Sequence, residues 1–174
     1  MITRLILLLV VSAGFALVGG LLHPFGKLPS DSKAPLLEGS HVDASTLKVI
    51  QRACQNCHSE RTEWPWYSRI APGSWMVEHD VSEARSHFNL SHWSEYPPDE
   101  RSSILSEMGS AARTGVMPPS RYTLLHPEAR LSSAEREQIY LWTKSERRML
   151  RELSPKATSA PIGFIPPDLF VNKM

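Results

Sequence analysis

The stretch Val49–Trp75 reads VIQRACQNCHSERTEWPWYSRIAPGSW. It holds both cysteines of the chain, Cys54 and Cys57, with His58 directly after the second. Trp64, Trp66 and Trp75, three of the five tryptophans, follow. Two thiols at this spacing serve several chemistries. A disulfide oxidoreductase places Cys-x-x-Cys at a helix N-terminus, where the dipole lowers a thiol pKa. Here the helical spacing of Leu47, Ile50 and Ala53 or Cys54 puts the pair at a helix C-terminal end. A structural zinc site needs four ligands. With only these two cysteines it would have to recruit two of the scattered histidines.

The reading that uses all three residues is c-type haem, whose attachment signal is Cys-x-x-Cys-His. The thiols of Cys54 and Cys57 add across the two vinyl groups of one haem, and two intervening residues set the sulfurs at the vinyl separation. The imidazole of His58 then lies under the iron as proximal ligand. Trp64, Trp66, Tyr67 and Trp75 supply apolar cover for a flat ring and lower the local dielectric, which tunes potential.

The N-terminus fits an exported protein. After Arg4 comes LILLLVVSAGFALVGGLL, Leu5–Leu22, without a charge. A helix of that length reaches about 27 Å, close to the thickness of a bilayer core. The apolar region of a cleaved signal is usually shorter, so a retained anchor ranks first and a signal cleaved near Ala16–Gly20 second. Arg4 and the terminal amine favour a cytoplasmic N-terminus, a cue that Lys27 weakens. The chain of 174 residues fits one modest domain with appendages, and 41% hydrophobic content suffices for its core. With 19 basic and 18 acidic residues the net charge is +1, which gives no electrostatic case for nucleic acid or an anionic membrane surface.

Residues 1–22 are thus the anchor or signal helix. Residues 23–42, broken by Pro24, Gly26, Pro29, Pro35 and Gly39, read as a linker lifting the body off the membrane. Residues 43–153 read as an all-α domain with long loops around one covalent haem. Its helices are expected at about 44–56 after an Asp43 N-cap, from Gly73 or Ser74 to about Phe88, from Pro98 to Gly115, and after a Ser132/Glu135 capping box. The stripe Ile104, Leu105, Met108 and Ala112 faces inward on one helix, and Ile139, Trp142, Met149 and Leu153 on the last. Residues 154–174 form a proline-rich tail.

CQNCHSERTEWPWYSRIAPGSW, then DVSEARSHFNLSHW, then GVMPPSRY, resembles the small haem-binding domain family of bacterial c-type cytochromes. The family pattern is C-x-x-C-H-S, T-x-W-P-W-Y-S, A-P-x-S-W, Asp-Val, Gly-Arg, Asn-x-Ser-x-Trp and a later Met-Pro, and it covers roughly 44–144. Cys54, Cys57 and His58 match the attachment motif; Thr62, Trp64, Pro65, Trp66, Tyr67 and Ser68 the aromatic segment; Met117-Pro118 the last motif. Glu83-Ala84-Arg85 departs where the family more often has Gly before Arg. The resemblance implies a monohaem domain, alone or fused to other cytochrome modules, and no particular reaction.

The candidate sixth ligand is Met117, 59 positions after His58 in a Gly-Val-Met-Pro-Pro loop that its prolines hold extended. The order of motif helix, loop, methionine loop and final helix resembles class I cytochromes c. Met76, Met108, His79, His87, His92 and His126 are the rivals. The second ring nitrogen of His58 is expected to meet a carbonyl, by analogy that of Pro72, and Arg61, Arg69 or Arg85 the haem propionates.

The expectation is therefore a single-pass protein of the bacterial inner membrane with its haem domain in the periplasm, or a periplasmic protein after signal cleavage. It passes single electrons between redox partner proteins whose identity the sequence does not give. No nucleophile and base mark a substrate pocket, so electron transfer ranks ahead of catalysis. The alternatives are a haem sensor or peroxidase-like enzyme with an open distal site, and a zinc or thiol-redox domain.

Overall fold

Asp43 opens the first helix of the body by accepting from the backbone N–H groups of Ser45 (2.9 Å) and Thr46 (3.0 Å). In the computed structural model, which describes residues 1–153, this helix is the second of seven. They are α1 (Ile2–Gly19), α2 (Ala44–Ala53), α3 (Gln55–His58), α4 (Gly73–His87), α5 (Pro98–Thr114), α6 (Ser120–Leu125) and α7 (Ser133–Leu153). Short 3-10 turns cover Trp66–Arg69, Leu90–Glu95 and Pro127–Ala129, and no strand forms among the described residues. The all-α expectation holds; the proline-rich tail lies outside the described residues.

The signals for α4, α5 and α7 act as read. Pro98 occupies the first turn of α5, and Gly115 ends it in the left-handed conformation at φ 77°. Ser132 and Glu135 close their capping box in both directions, at 2.8 and 3.2 Å. The expected first helix is interrupted: Cys54 leaves helical geometry at φ −122°, and α3 starts afresh at Gln55. On α7 the buried face passes through Ile139, Trp142, Thr143, Glu146 and Leu150. Met149, expected on it, falls about 80° away from Ile139 at helical spacing, and Leu153 is 72% exposed.

Helices α5 and α7 form the centre. Gly109 faces Thr143 so closely that a Cβ there would overlap the threonine hydroxyl, while Arg113 stacks over the Tyr140 ring at 4.1 Å and pairs with Glu137. Numbers rise on α5 as they fall on α7, so the two run antiparallel. Leu105, Ile139, Trp142, Ile50, Leu90 and Trp93 interlock around them. Leu105 is fully buried. Leu105→Ala is expected to lower stability by about 3 kcal/mol, the cost of lost transfer plus a residual cavity. Denaturant titration checks it; a loss below about 1 kcal/mol would mean that the site collapses to fill the void.

Residues 23–42, expected as a linker, have no helix and are packed as a strap. Leu36 and Leu37 are buried. Leu37 N–H donates to the Leu90 carbonyl (3.0 Å), Ser32 N–H to that of Glu60 (3.1 Å), and His41 N–H to the buried Glu146 carboxylate (3.0 Å). Helix α1 is long and apolar enough to cross a membrane, a test that an N-terminal signal sequence passes as well.

Candidate functional site

The C-x-x-C-H segment folds into one tight turn. The amides of Cys57 (3.3 Å) and His58 (3.0 Å) both donate to the Cys54 carbonyl. That closure puts the two thiols and the imidazole within one helical turn. The two intervening residues hold the turn in place. Gln55 Nε2 donates to the Arg61 carbonyl (3.2 Å), and Asn56 accepts from Glu63 N–H (3.1 Å) and donates to the Tyr122 hydroxyl (3.1 Å). Ser59, fully buried, donates to the Gln55 carbonyl (2.8 Å) and Thr62 to that of Asn56 (2.7 Å), folding the following loop back onto the motif.

The protonation states suit a ligand set rather than a thiol catalyst. Both thiols are free. Burial pushes Cys54 up to about 12 and Cys57 up to about 11. Around Cys57, Asp80 adds to the rise and Arg85 and Arg121 oppose it. A redox dithiol needs the opposite shift, since the thiolate is its nucleophile. Burial also holds His58 down to about 4, so the ring is neutral with a lone pair to give. It stacks on Phe88 at 4.0 Å with 8° between planes. The carbonyls of Phe88 and Ala84 lie beside the ring and pull weakly the other way, but neither closes a hydrogen bond on Nδ1, which is buried without a partner. The Pro72 carbonyl expected there is instead taken by the Met76 amide at 3.1 Å, as the first turn of α4.

Of the three candidate arginines, the structure separates Arg85. Arg61 is committed to the strap, donating to the carbonyls of Lys33 and Ala34, and Arg69 is exposed. Arg85 gives one nitrogen to Thr62 Oγ1 (2.9 Å), while its Nε and Nη1 are buried without acceptors. Burial lowers its pKa, against the pull of Glu60 and Cys57. A half-buried guanidinium with two idle donors beside the motif suits a carboxylate.

Trp64 is half-buried and Trp66 is 75% exposed, its ring edge-on to Tyr67 at 5.8 Å. Tyr67 reaches His126 Nε2 through its hydroxyl (2.8 Å), and His126 stacks on Tyr122 at 4.4 Å. Burial raises both tyrosine pKa values, and Cys57 adds to each. Trp75 does not join this wall, for its indole N–H donates to the Gly19 carbonyl of α1 at 3.1 Å.

Met117 is 41% exposed in a loop whose amide donates to the Ala111 carbonyl at 3.2 Å. The loop is drawn to the motif by α6, through Tyr122 on Asn56 and Arg121 on Asp80 (2.8 Å). Among the rivals, Met108 is buried in the main core, His92 is held by Glu60 and Glu95, and His126 by Tyr67 and Glu128. Met76, 59% exposed, is the other accessible thioether. The Asn56–Tyr122 and Tyr67–His126 pairs escaped the sequence reading, because they join elements more than fifty positions apart.

These residues fit a haem. Two neutral thiols, a neutral imidazole with an orphaned nitrogen and a guanidinium with idle donors share one locality. On the aromatic loop, the methionine loop and α6, Trp66, Val116, Met117, Leu124 and Leu125 leave apolar surface uncovered. Zinc fits less well: among the described residues the His/Cys/Asp/Glu group close enough to share an ion is His79, Asp80 and Glu83, which contains neither cysteine.

Over 127 residues, 68% of the chain, the sequence is 26% identical to cytochrome c peroxidase Ccp of Escherichia coli (strain K12). The chain spans 27% of that protein's length. No solved structure matches. A family model described as haem-binding domain matches residues 16–145, from the last turn of α1 through the motif turn, the aromatic loop, the methionine loop and the first half of α7, and the chain belongs to that haem-binding domain family.

Proposed function

We propose that this chain is a membrane-anchored monohaem cytochrome c of the periplasm, passing one electron at a time between redox partner proteins. The observation that carries the reading is the motif turn, where the Cys57 and His58 amides close on the Cys54 carbonyl and gather two thiols and a neutral imidazole on one turn. Cys54 and Cys57 would hold the haem as thioethers, by redox-neutral addition of S–H to a vinyl group, which needs no oxidant. His58 would hold the iron through its imidazole and Met117 through its thioether. Trp64, Trp66 and Tyr67 exclude water from the ring. When bound, the haem iron supplies reversible one-electron chemistry, with a potential that methionine ligation raises. The hydrophobic span of α1 supports the anchor, and the thioether chemistry supports the periplasmic side.

Arg85, steadied by Thr62, is the residue for a propionate. Arg85→Gln removes a positive charge that disfavours the ferric form. The midpoint potential is expected to fall by roughly 50 mV, in line with one partly screened charge. It should also gain pH dependence near neutrality, since the propionate loses the cation that kept its pKa low. Voltammetry across pH reads both; an unchanged potential would assign the propionates elsewhere.

The similarity to the Escherichia coli peroxidase favours a second reading, peroxide reduction at an open distal position. Visible spectra of the purified protein in both oxidation states separate the two. A weak far-red band in the ferric protein and no carbon monoxide binding by the ferrous protein support electron transfer. Rapid carbon monoxide binding supports the peroxidase-like site.

A further inference from the structure

The end of α1 is not free of the body. The Ala71 amide donates to the Ala16 carbonyl (3.1 Å) and the Trp75 indole to that of Gly19. Gly20 is buried against the Arg69 backbone, where a Cβ would overlap the carbonyl oxygen. Just beyond, His23 Nδ1 meets the buried Glu78 carboxylate at 2.5 Å, and Phe25 packs edge-on to His79 at 5.1 Å. These contacts clamp residues 16–25 along Arg69–His79.

Their register fixes a depth. The apolar run continues to Leu22, and Ala16 lies about 4.5 Å inward of Gly19 along the helix. A loop hydrogen-bonded to both residues therefore stands level with the last turn of the span. The side chains that this level exposes are Leu21 (76%), Leu22 (60%), Phe25 (41%), Ile70 (36%) and Trp75 (36%), with Arg69 beside them. Aromatic rings, aliphatic groups and one long cation are the composition of a bilayer interface, where rings sit at headgroup depth and arginine reaches for phosphate.

We propose that the haem domain is pressed against the bilayer in one fixed pose, with residues 69–75, the approach to α4 and its first turn, seated in the phospholipid interface. This rests on α1 being retained as a span. The occupant is lipid because the patch is continuous with the lipid-facing helix and lies at its depth. The family match starts at Ala16, so it takes in the clamp and omits most of the span. The motif side of the body, joined to the loop through Tyr67 and α4, is thereby held at the membrane surface rather than on a swinging tether.

The test uses the haem-loaded full chain in nanodiscs of pure phospholipid, with a nitroxide on Ile70→Cys or, as a water-facing reference, Leu141→Cys. The label at 70 is expected to collide with aqueous nickel roughly fivefold less often than the label at 141, as for a group buried in the headgroup region. Adding Gly20→Val, which wedges the clamp apart, should return the label at 70 to the reference rate while the chain stays in the disc. Equal nickel access at 70 and 141, with intact mass showing the span present, overturns the proposal. Protection that appears only in native membranes, not in pure lipid, also overturns it and assigns the patch to a protein. A mass lacking the first helix, with release from lipid, instead defeats the anchor reading beneath it.

Discussion

A chain carrying both Cys54→Ala and Cys57→Ala, produced alongside the cytochrome maturation machinery, is expected to give no haem stain on a denaturing gel and the mass of bare polypeptide. On the proposed attachment the thiols alone would hold the ring, so the loss would be complete. Each single variant keeps one thioether and therefore keeps the stain, at lower yield. His58→Ala keeps both thioethers and the stain but loses the iron's proximal imidazole, so its spectrum changes while its mass still includes the haem. This contrast separates attachment from ligation. Stability should follow attachment. Val116, Leu124 and Leu125 are each more than 60% exposed, along with Trp66. Covering two or three such side chains contributes on the order of 5 kcal/mol, so the double variant should unfold at a lower denaturant concentration than the haem-loaded parent. Persistence of covalent haem in the double variant would falsify the thioether assignment.

The sequence revealed most where the physics is local. Asp43, Pro98, Gly115 and the Ser132/Glu135 box act within a turn of where they stand, and the helix ends they mark appear as expected. Cys54, Cys57 and His58 lie within five positions on one turn, so their grouping needed no tertiary knowledge. The break at Cys54 was hidden because the apolar spacing of α2 runs straight through it. Helix α6 was hidden because its six residues, Ser120–Leu125, are too few to display a period. The strap reads as a spacer from its prolines and glycines, yet Leu36 and Leu37, adjacent and apolar, were the sign that part of it is buried. Trp75 reads as ring cover from its neighbourhood in sequence, but α4 turns it toward α1. Arg85 could not be told from Arg61 and Arg69 until the acceptors around each were known.

Met117→Ala is expected to change the colour and the potential of the protein together. Methionine opposite histidine raises a haem potential, and axial ligation as a whole moves such potentials over about 0.8 V. Losing the thioether should lower the midpoint by roughly 0.2 V, abolish the far-red ferric band and open the ferrous protein to carbon monoxide. The fold should barely notice: Met117 is 41% exposed, and its amide, not its side chain, holds the loop to Ala111. A drop in potential with an unchanged unfolding midpoint therefore marks a ligand rather than a packing residue. Met76→Ala is the control, a thioether on α4 of similar chemistry and 59% exposure. It lies in the first turn of α4, four positions before Asp80, whose carboxylate pairs with Arg121 of the same α6 that draws the methionine loop in, so both methionines border one locality. The loop favours Met117, since Pro118 and Pro119 restrict it and Tyr122 ties it to Asn56 between the two cysteines. If Met76→Ala shifts the potential and Met117→Ala does not, the iron takes its second ligand from α4. If neither does, the distal position is open, and the peroxidase-like reading gains what electron transfer loses.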